Sequence, residues 1–71
     1  MPQYVYQQVA ADLRAKITDG TYPPGSRLPS RAQAQKIYGV SQIVIDKAMW
    51  ILNQEGLTET LAGVGVFVKE R

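Results

Sequence analysis

Residues 28–57, LPSRAQAQKIYGVSQIVIDKAMWILNQEGL, contain two predicted helices separated by a glycine turn. Pro29 prevents a helix from continuing in from upstream, because proline has no backbone N–H and restricts the residue before it. Ser30 and Gln33 have the spacing of a capping box, in which each side chain binds the backbone N–H of the other residue. Gly39 can adopt the left-handed conformation that ends a helix. The first helix is therefore predicted to lie between Ser30 and Gly39.

The second helix follows at once, with Ser41 as its predicted cap and Gly56 as its end. Its apolar residues recur at i, i+3, i+4 and i+7, which places on one face Ile45, Ala48, Met49 and Leu52. Two short helices joined by a glycine turn are typical of a helix-turn-helix unit, whose second helix lies in the DNA major groove.

The chain before this unit predicts one more helix and a very short strand. Helical spacing of Tyr6, Val9, Leu13 and Ile17 indicates an amphipathic helix from about residue 3 to residue 19. Residues 21–25 contain two prolines and a glycine, which predicts a rigid turn. Residues 26–28 are long enough only for a very short strand.

The chain after the unit predicts a β-hairpin. Residues 57–61 and 66–69 are rich in strand-forming side chains, and Ala62, Gly63, Val64 and Gly65 between them form the predicted tip. The order helix, short strand, helix, helix, hairpin is that of a winged helix-turn-helix. We therefore expect a single domain over residues 1–71, mainly α with a small two-stranded wing.

The composition argues against an enzyme. The 71 residues include no cysteine and no histidine, and only six carboxylates are scattered along the chain. The commonest metal ligand and the commonest general base are thus missing, and we expect no catalytic residue, metal or cofactor. No apolar run approaches the length of a membrane span, so the protein is expected to be soluble and cytoplasmic. The formal net charge of +2 leans only mildly toward nucleic acid.

Motifs along almost the whole chain resemble the N-terminal DNA-binding domain of the GntR family of bacterial transcription regulators. In chain order these motifs are Tyr6 to Ala10, Gly20 through Gly25, Arg27-Leu28-Pro29-Ser30, Gly39-Val40-Ser41, Ala48, Glu55-Gly56-Leu57 and Gly63 to Val68. The resemblance implies a repressor that binds a two-fold DNA operator as a homodimer at the bacterial nucleoid. Members generally continue into a second domain, so a small-molecule effector is expected only if such a domain exists outside this chain.

The resemblance also implies the DNA contacts. The recognition helix, residues 42–55, would enter the major groove, and the wing tip, residues 62–65, would lie at or near the minor groove. The matching contact positions are Arg31, Ala32, Ser41, Gln42, Ile43, Val44, Asp46, Ala62 and Gly63.

Three arginines of the family pattern are missing here. The family usually has glutamate and arginine at the positions of Arg31 and Ala32, and arginine at the positions of Gln42 and Asp46. Arginine bound to guanine is the commonest direct base contact, so the usual guanine-reading set cannot be assumed.

The residues present favour A·T base pairs instead. Gln42 can bind adenine, and Ile43 and Val44 can pack on thymine methyl groups. Asp46 can accept a hydrogen bond from cytosine, or it can face a cation such as Arg31 or Lys47 because phosphates repel a carboxylate. Both alternatives remain open for Asp46.

A further set of residues is predicted to hold phosphates. This set combines cations, a first-helix tyrosine and the backbone N–H groups at the two helix starts, and it consists of Tyr6, Arg27, Ser30, Arg31, Ser41 and Lys47.

Trp50 and Ile51 stand where the family usually has polar residues. With Ile43 and Val44 they could form an exposed apolar patch, which in a small protein indicates a partner. Alternatively, Trp50 folds over the wing or the end of the first helix and fills a thin core. Two hypotheses follow: a DNA-binding module of a transcription regulator, or a winged-helix module that binds another protein through Ile43, Trp50 and Ile51.

Overall fold

Three helices and one β-hairpin follow each other in the predicted order in the computed structural model, which describes residues 4–70. The elements are α1 (Val5–Thr18), α2 (Arg31–Tyr38), α3 (Gln42–Gln54), β1 (Thr58–Leu61) and β2 (Gly65–Val68). The predicted start of the first helix at Gln3 lies outside the described residues. No helix within residues 4–70 is both long enough and apolar enough to cross a bilayer.

The capping box predicted at the start of α2 is confirmed. The Ser30 hydroxyl accepts a hydrogen bond from the Gln33 backbone N–H at 3.2 Å, and the Gln33 side-chain oxygen accepts one from the Ser30 N–H at 3.0 Å. Gly39 ends the helix with a φ of +64°, which is the left-handed conformation expected there. The turn of the helix-turn-helix is thus set by local backbone chemistry.

The predicted side-chain cap on α3 is wrong. Ser41 occupies the cap position with extended backbone, but its hydroxyl makes no capping hydrogen bond. The residue is exposed, so its hydroxyl is not held against the helix end by packing. The first N–H groups of α3 therefore have no side-chain oxygen from Ser41 as a partner.

The wing is an antiparallel pair of strands in which Thr58 pairs with Val68 and Leu61 pairs with Gly65. A hydrogen bond of 2.9 Å from the Val64 N–H to the Leu61 carbonyl closes the tip. Gly63 at the tip has a φ of +74°, a conformation that glycine adopts without a Cβ clash. The predicted hairpin is present; β1 begins one residue later than expected, and β2 begins and ends one residue earlier.

The predicted strand at residues 26–28 is reduced to a single bridge between Arg27 and Phe67. Backbone hydrogen bonds still join this segment to β2, from Leu28 N–H to Val66 and from Val68 N–H to Ser26, both at 2.9 Å. Prolines at positions 24 and 29 bound the segment, and proline cannot donate to a sheet ladder. The segment consequently lies antiparallel beside β2 without forming a full strand.

One core holds the elements together, with α3 packed against α1, α2 and β1. The buried apolar side chains are Val9, Ala10, Leu13, Leu28, Ala34, Ile45, Ala48, Met49, Leu52 and Val68. The predicted apolar face of α3 is therefore confirmed in full. Because that face points into the core, the opposite side of α3 is left toward solvent.

Candidate nucleic-acid interface

A groove of about 720 Å³ separates α3 from the wing. The residues that line it come from the start of α2, the exposed side of α3 and the hairpin: Arg27, Leu28, Pro29, Ser30, Arg31, Asp46, Met49, Trp50, Asn53 and residues 60–66. Of the residues predicted to bind DNA, the fold brings to this groove Arg27, Ser30, Arg31, Asp46, Ala62 and Gly63. Positions that are far apart in the chain thus form one surface.

Asp46 faces Arg31 across the helix-turn-helix. Nε of Arg31 lies 2.9 Å from Oδ1 of Asp46; the Arg31 side chain is exposed and the Asp46 side chain is half-buried. Of the two alternatives left open for Asp46, the structure shows the one in which it pairs with a cation, Arg31. The pair offsets the negative charge that Asp46 would otherwise bring to the groove.

Arg27 lies against Gly65, at the tip end of β2. A Cβ atom on Gly65 would come within 2.8 Å of the Arg27 Nε, and the Gly65 backbone has a φ of +149°. Glycine at this position therefore lets the guanidinium of Arg27 cross the wing and reach the groove. The position of the Arg27 guanidinium, which is predicted to bind phosphate, therefore depends on the backbone conformation of the hairpin at Gly65.

Lys47 is held on another side of α3, beside the start of α1. Its Nζ lies 5.3 Å from the centre of the Tyr6 ring, and the Tyr6 ring stacks on Tyr4 with centres 5.6 Å apart. A cation over an aromatic face is weakly attracted to it, and this restricts the long lysine side chain. The structure thus brings together Tyr6 and Lys47, two of the predicted phosphate ligands.

The first turn of α3 presents polar and apolar side chains to solvent. Ser41, Gln42 and Ile43 are exposed, whereas Val44 is half-buried and packs against the core. Ala32 is exposed on the first turn of α2. The DNA contacts of these residues stay predictions, and the burial of Val44 leaves less of its surface for a thymine methyl group.

Trp50 and Ile51 do not form the exposed patch that the sequence suggested. Ile51 is half-buried and packs against the core, because α3 turns it away from Trp50. The expectation that Trp50 fills the core is also wrong, since 61% of the residue is exposed. Trp50 instead lines the groove opposite the wing.

Asn53 was missed by the sequence analysis. Its side-chain N–H donates to the Thr60 hydroxyl at 2.8 Å, and its side-chain oxygen accepts from the Thr58 hydroxyl at 2.6 Å. These bonds connect α3 to β1 and set the wing beside the helix. The available signal was the spacing of Thr58 and Thr60, which places both hydroxyls on one side of a strand.

Several charges outside the groove are paired with each other. Arg14 of α1 binds both carboxylate oxygens of Glu55 at 2.8 Å, and Lys16 lies 3.2 Å from Asp12. Within residues 4–70, Arg27 has no carboxylate within ion-pairing distance, and the same holds for Lys47. These cations are accordingly available to an external anion.

The sequence model described as bacterial regulatory proteins, gntR family, matches residues 5–68. The chain belongs to the GntR family.

Two relatives carry this domain within longer chains. The histidine utilization repressor of Klebsiella aerogenes is 38% identical over 97% of this chain and 29% of its own. The repressor MngR of the mannosyl-D-glycerate transport/metabolism system of Escherichia coli is 33% identical over 93% of this chain and 28% of its own. The chain therefore spans less than a third of either relative.

Solved structures of the family have the same winged helix-turn-helix fold. The DNA-binding domain of AraR in complex with the operator ORR3 superposes with a TM-score of 0.91 and 29% identity, over 96% of this chain and 82% of that one. A GntR family regulator from Listeria monocytogenes superposes with a TM-score of 0.92 and 25% identity, over 97% of this chain and 60% of that one. These similarities favour the DNA-binding hypothesis for this GntR-family domain over the protein-binding alternative.

Proposed function

We propose that this GntR-family domain is the operator-binding module of a transcriptional repressor. The single observation that carries the proposal is the superposition on the AraR domain bound to its operator, with a TM-score of 0.91 over 96% of the chain. In this arrangement α3 enters the major groove, and the wing tip lies at the adjacent minor groove. We propose no enzymatic activity, since the family consists of regulatory proteins and the sequence has neither histidine nor cysteine.

The base contacts come from the first turns of α3. Gln42 is exposed and has the donor and acceptor that match adenine, and Ile43 presents an apolar surface to thymine methyl groups. Val44 adds only the part of its side chain that the core leaves free. These residues give the domain a preference for A·T pairs at the positions they contact.

The phosphate contacts surround this surface. Arg27 reaches the DNA backbone from beside Gly65 of the wing, and Lys47 reaches it from beside Tyr6. Because the Ser41 hydroxyl makes no capping hydrogen bond, the first N–H groups of α3 can donate to a phosphate oxygen. Gly63 and Ala62, both small and exposed, allow the wing backbone to approach the duplex closely.

We further propose that two copies bind a two-fold operator. The domain measures 33 × 27 × 20 Å, so two copies on half-sites one helical turn apart, about 34 Å, fit side by side on one face of the duplex. The relatives are more than three times as long as this chain, and a small-molecule effector would act through regions of the whole protein outside these residues. Binding to the nucleoid places the protein in the bacterial cytoplasm.

Salt dependence tests the proposal directly. Fluorescence anisotropy with labelled duplexes at a series of salt concentrations is expected to give an affinity that falls steeply as salt rises. Arg27→Ala and Lys47→Ala should each reduce the slope of log affinity against log salt by about one. Lys36→Ala is the matched control, because Lys36 is exposed on α2 and does not line the α3–wing groove. Absence of binding to any duplex at low salt would contradict the proposal.

A further inference from the structure

The ion pair between Arg31 and Asp46 joins the two helices of the helix-turn-helix inside the proposed DNA-binding groove. Arg31 is the first residue of α2, and Asp46 lies one turn into α3. The 2.9 Å contact uses Nε of the guanidinium and Oδ1 of the carboxylate, with 66% of the Arg31 side chain and 43% of the Asp46 side chain exposed. The pair is therefore accessible to a ligand that enters the groove.

The pair has little value as a stabilising contact. Exposed ion pairs contribute little to stability, because solvent screens the charges and two long side chains lose freedom. Its clear physical effect is to restrict the orientation of the Arg31 guanidinium before any ligand arrives. A side chain that is already oriented loses less conformational freedom on binding.

The donors that remain on Arg31 match one particular ligand. A guanidinium has five N–H donors in a planar fork, and the closest contact of Asp46 is with the Nε position. The two terminal nitrogens remain at the outer end of the fork. Two parallel N–H donors are what guanine O6 and N7 accept in the major groove.

We propose that Asp46 positions Arg31 to bind a single guanine in each operator half-site. This inference rests on the proposed DNA-binding function and assigns to Arg31 a base contact rather than a phosphate contact. The charges at the two positions are opposite to the family pattern described above, so the guanidinium projects from α2 and the carboxylate from α3. One G·C pair then stands within a half-site whose other contacts favour A·T.

Base-by-base affinity measurements test this assignment. The preferred half-site is first selected from randomised duplexes with the 71-residue chain. Each base pair is then replaced in turn, and dissociation constants are measured at one salt concentration for the wild type, Arg31→Lys, Asp46→Asn and the control Lys36→Ala. Arg31→Lys keeps the positive charge but cannot present two parallel donors.

The wild type should prefer G·C at one position by about tenfold or more. Arg31→Lys should reduce this preference to about twofold or less and keep the other preferences and the salt slope. Asp46→Asn should weaken the same preference while overall affinity stays equal or rises, because a negative charge is removed. Lys36→Ala should leave every preference unchanged.

Two results would overturn the inference while the proposed function stands. A uniform loss of affinity in Arg31→Lys on all duplexes would identify Arg31 as a phosphate contact, and unchanged base preferences in both variants would remove its role in recognition. A wild type that binds no duplex would overturn the proposed function and this inference together. Circular dichroism of each variant verifies folding, which substitutions of these exposed side chains should preserve.

Discussion

The Tyr38 hydroxyl of α2 donates a hydrogen bond of 2.6 Å to Oδ2 of Asp12 in α1, and Lys16 lies 3.2 Å from the same oxygen. The hydrogen bond from Tyr38, with a smaller effect of Lys16, holds the pKa of Asp12 below its ordinary value of 3.8 despite slight desolvation. Burial and the hydrogen bond to Asp12 raise the pKa of Tyr38. This contact attaches the end of α2 to α1, and neither residue lines the α3–wing groove.

The Tyr38–Asp12 contact predicts a specific dependence of stability on pH. The folded-state pKa of Asp12 is lowered, so its contribution is present above about pH 4 and is lost as pH falls through the folded-state pKa. Tyr38→Phe should lower the free energy of unfolding by about 1 kcal/mol at neutral pH. The difference from wild type should shrink toward acid, as measured by urea unfolding at several pH values.

Tyr22→Phe is the matched control for this prediction. Tyr22 is also half-buried against the core, and its hydroxyl has no hydrogen-bond partner among the contacts found for residues 4–70. Its removal should leave the pH dependence unchanged. Equal losses in the two variants at every pH would contradict the assigned role of Asp12.

The two helix caps of the helix-turn-helix should differ in their contribution to stability. Ser30→Ala removes the capping box at α2 and should lower the free energy of unfolding by about 1 kcal/mol. Ser41→Ala removes a hydroxyl that makes no capping bond and should change it by less than about 0.5 kcal/mol. Chemical denaturation of both variants measures the difference, and a larger loss for Ser41→Ala would refute the assignment.

Two wing glycines should respond differently to substitution by alanine. Both have positive φ values, so either change should destabilise the domain by about 1 kcal/mol. At Gly65 the new Cβ would also displace the Arg27 guanidinium, whereas at Gly63 it meets no atom of the described residues within 4 Å. Gly65→Ala should therefore weaken DNA binding more than Gly63→Ala, as measured by fluorescence anisotropy.

A double-variant experiment isolates the Arg27 contribution. In an Arg27→Ala background the guanidinium is absent, so Gly65→Ala should weaken DNA binding no more than Gly63→Ala does. If the extra loss persists without Arg27, backbone strain at Gly65 explains it and displacement of the guanidinium does not.

Asn53 should stabilise the wing as a unit with α3. Asn53→Ala removes both side-chain hydrogen bonds and leaves the hydroxyl of the buried Thr58 without a partner, which should cost about 2 kcal/mol. Amide hydrogen exchange in β1 and β2 should become faster relative to α1. Gln54→Ala, at the exposed next position of the same helix, is expected to have little effect on either measurement.

The exposure of the proposed base-contact positions was predictable in outline, because local sequence sets where α3 begins and which of its faces is buried. Gln42 and Ile43 are exposed because the apolar stripe that starts at Ile45 faces the core and leaves other sides of the helix toward solvent. The same reasoning was insufficient for Ile51, which lies at the margin of the stripe. There, the neighbouring elements determine whether a side chain is covered.

Local sequence was sufficient to predict the order of the helices and the hairpin, the capping box at Ser30, the helix end at Gly39 and the apolar face of α3. These features depend on residues within a few positions of one another, where backbone geometry leaves few alternatives. Three other features follow from tertiary packing: Asp46 pairs with Arg31, Trp50 stays exposed in the α3–wing groove, and Asn53 binds β1. Each of these features depends on how separate elements pack. The spacing of residues along a helix or strand predicts which face a side chain lies on, but the positions of neighbouring elements decide which partners it contacts.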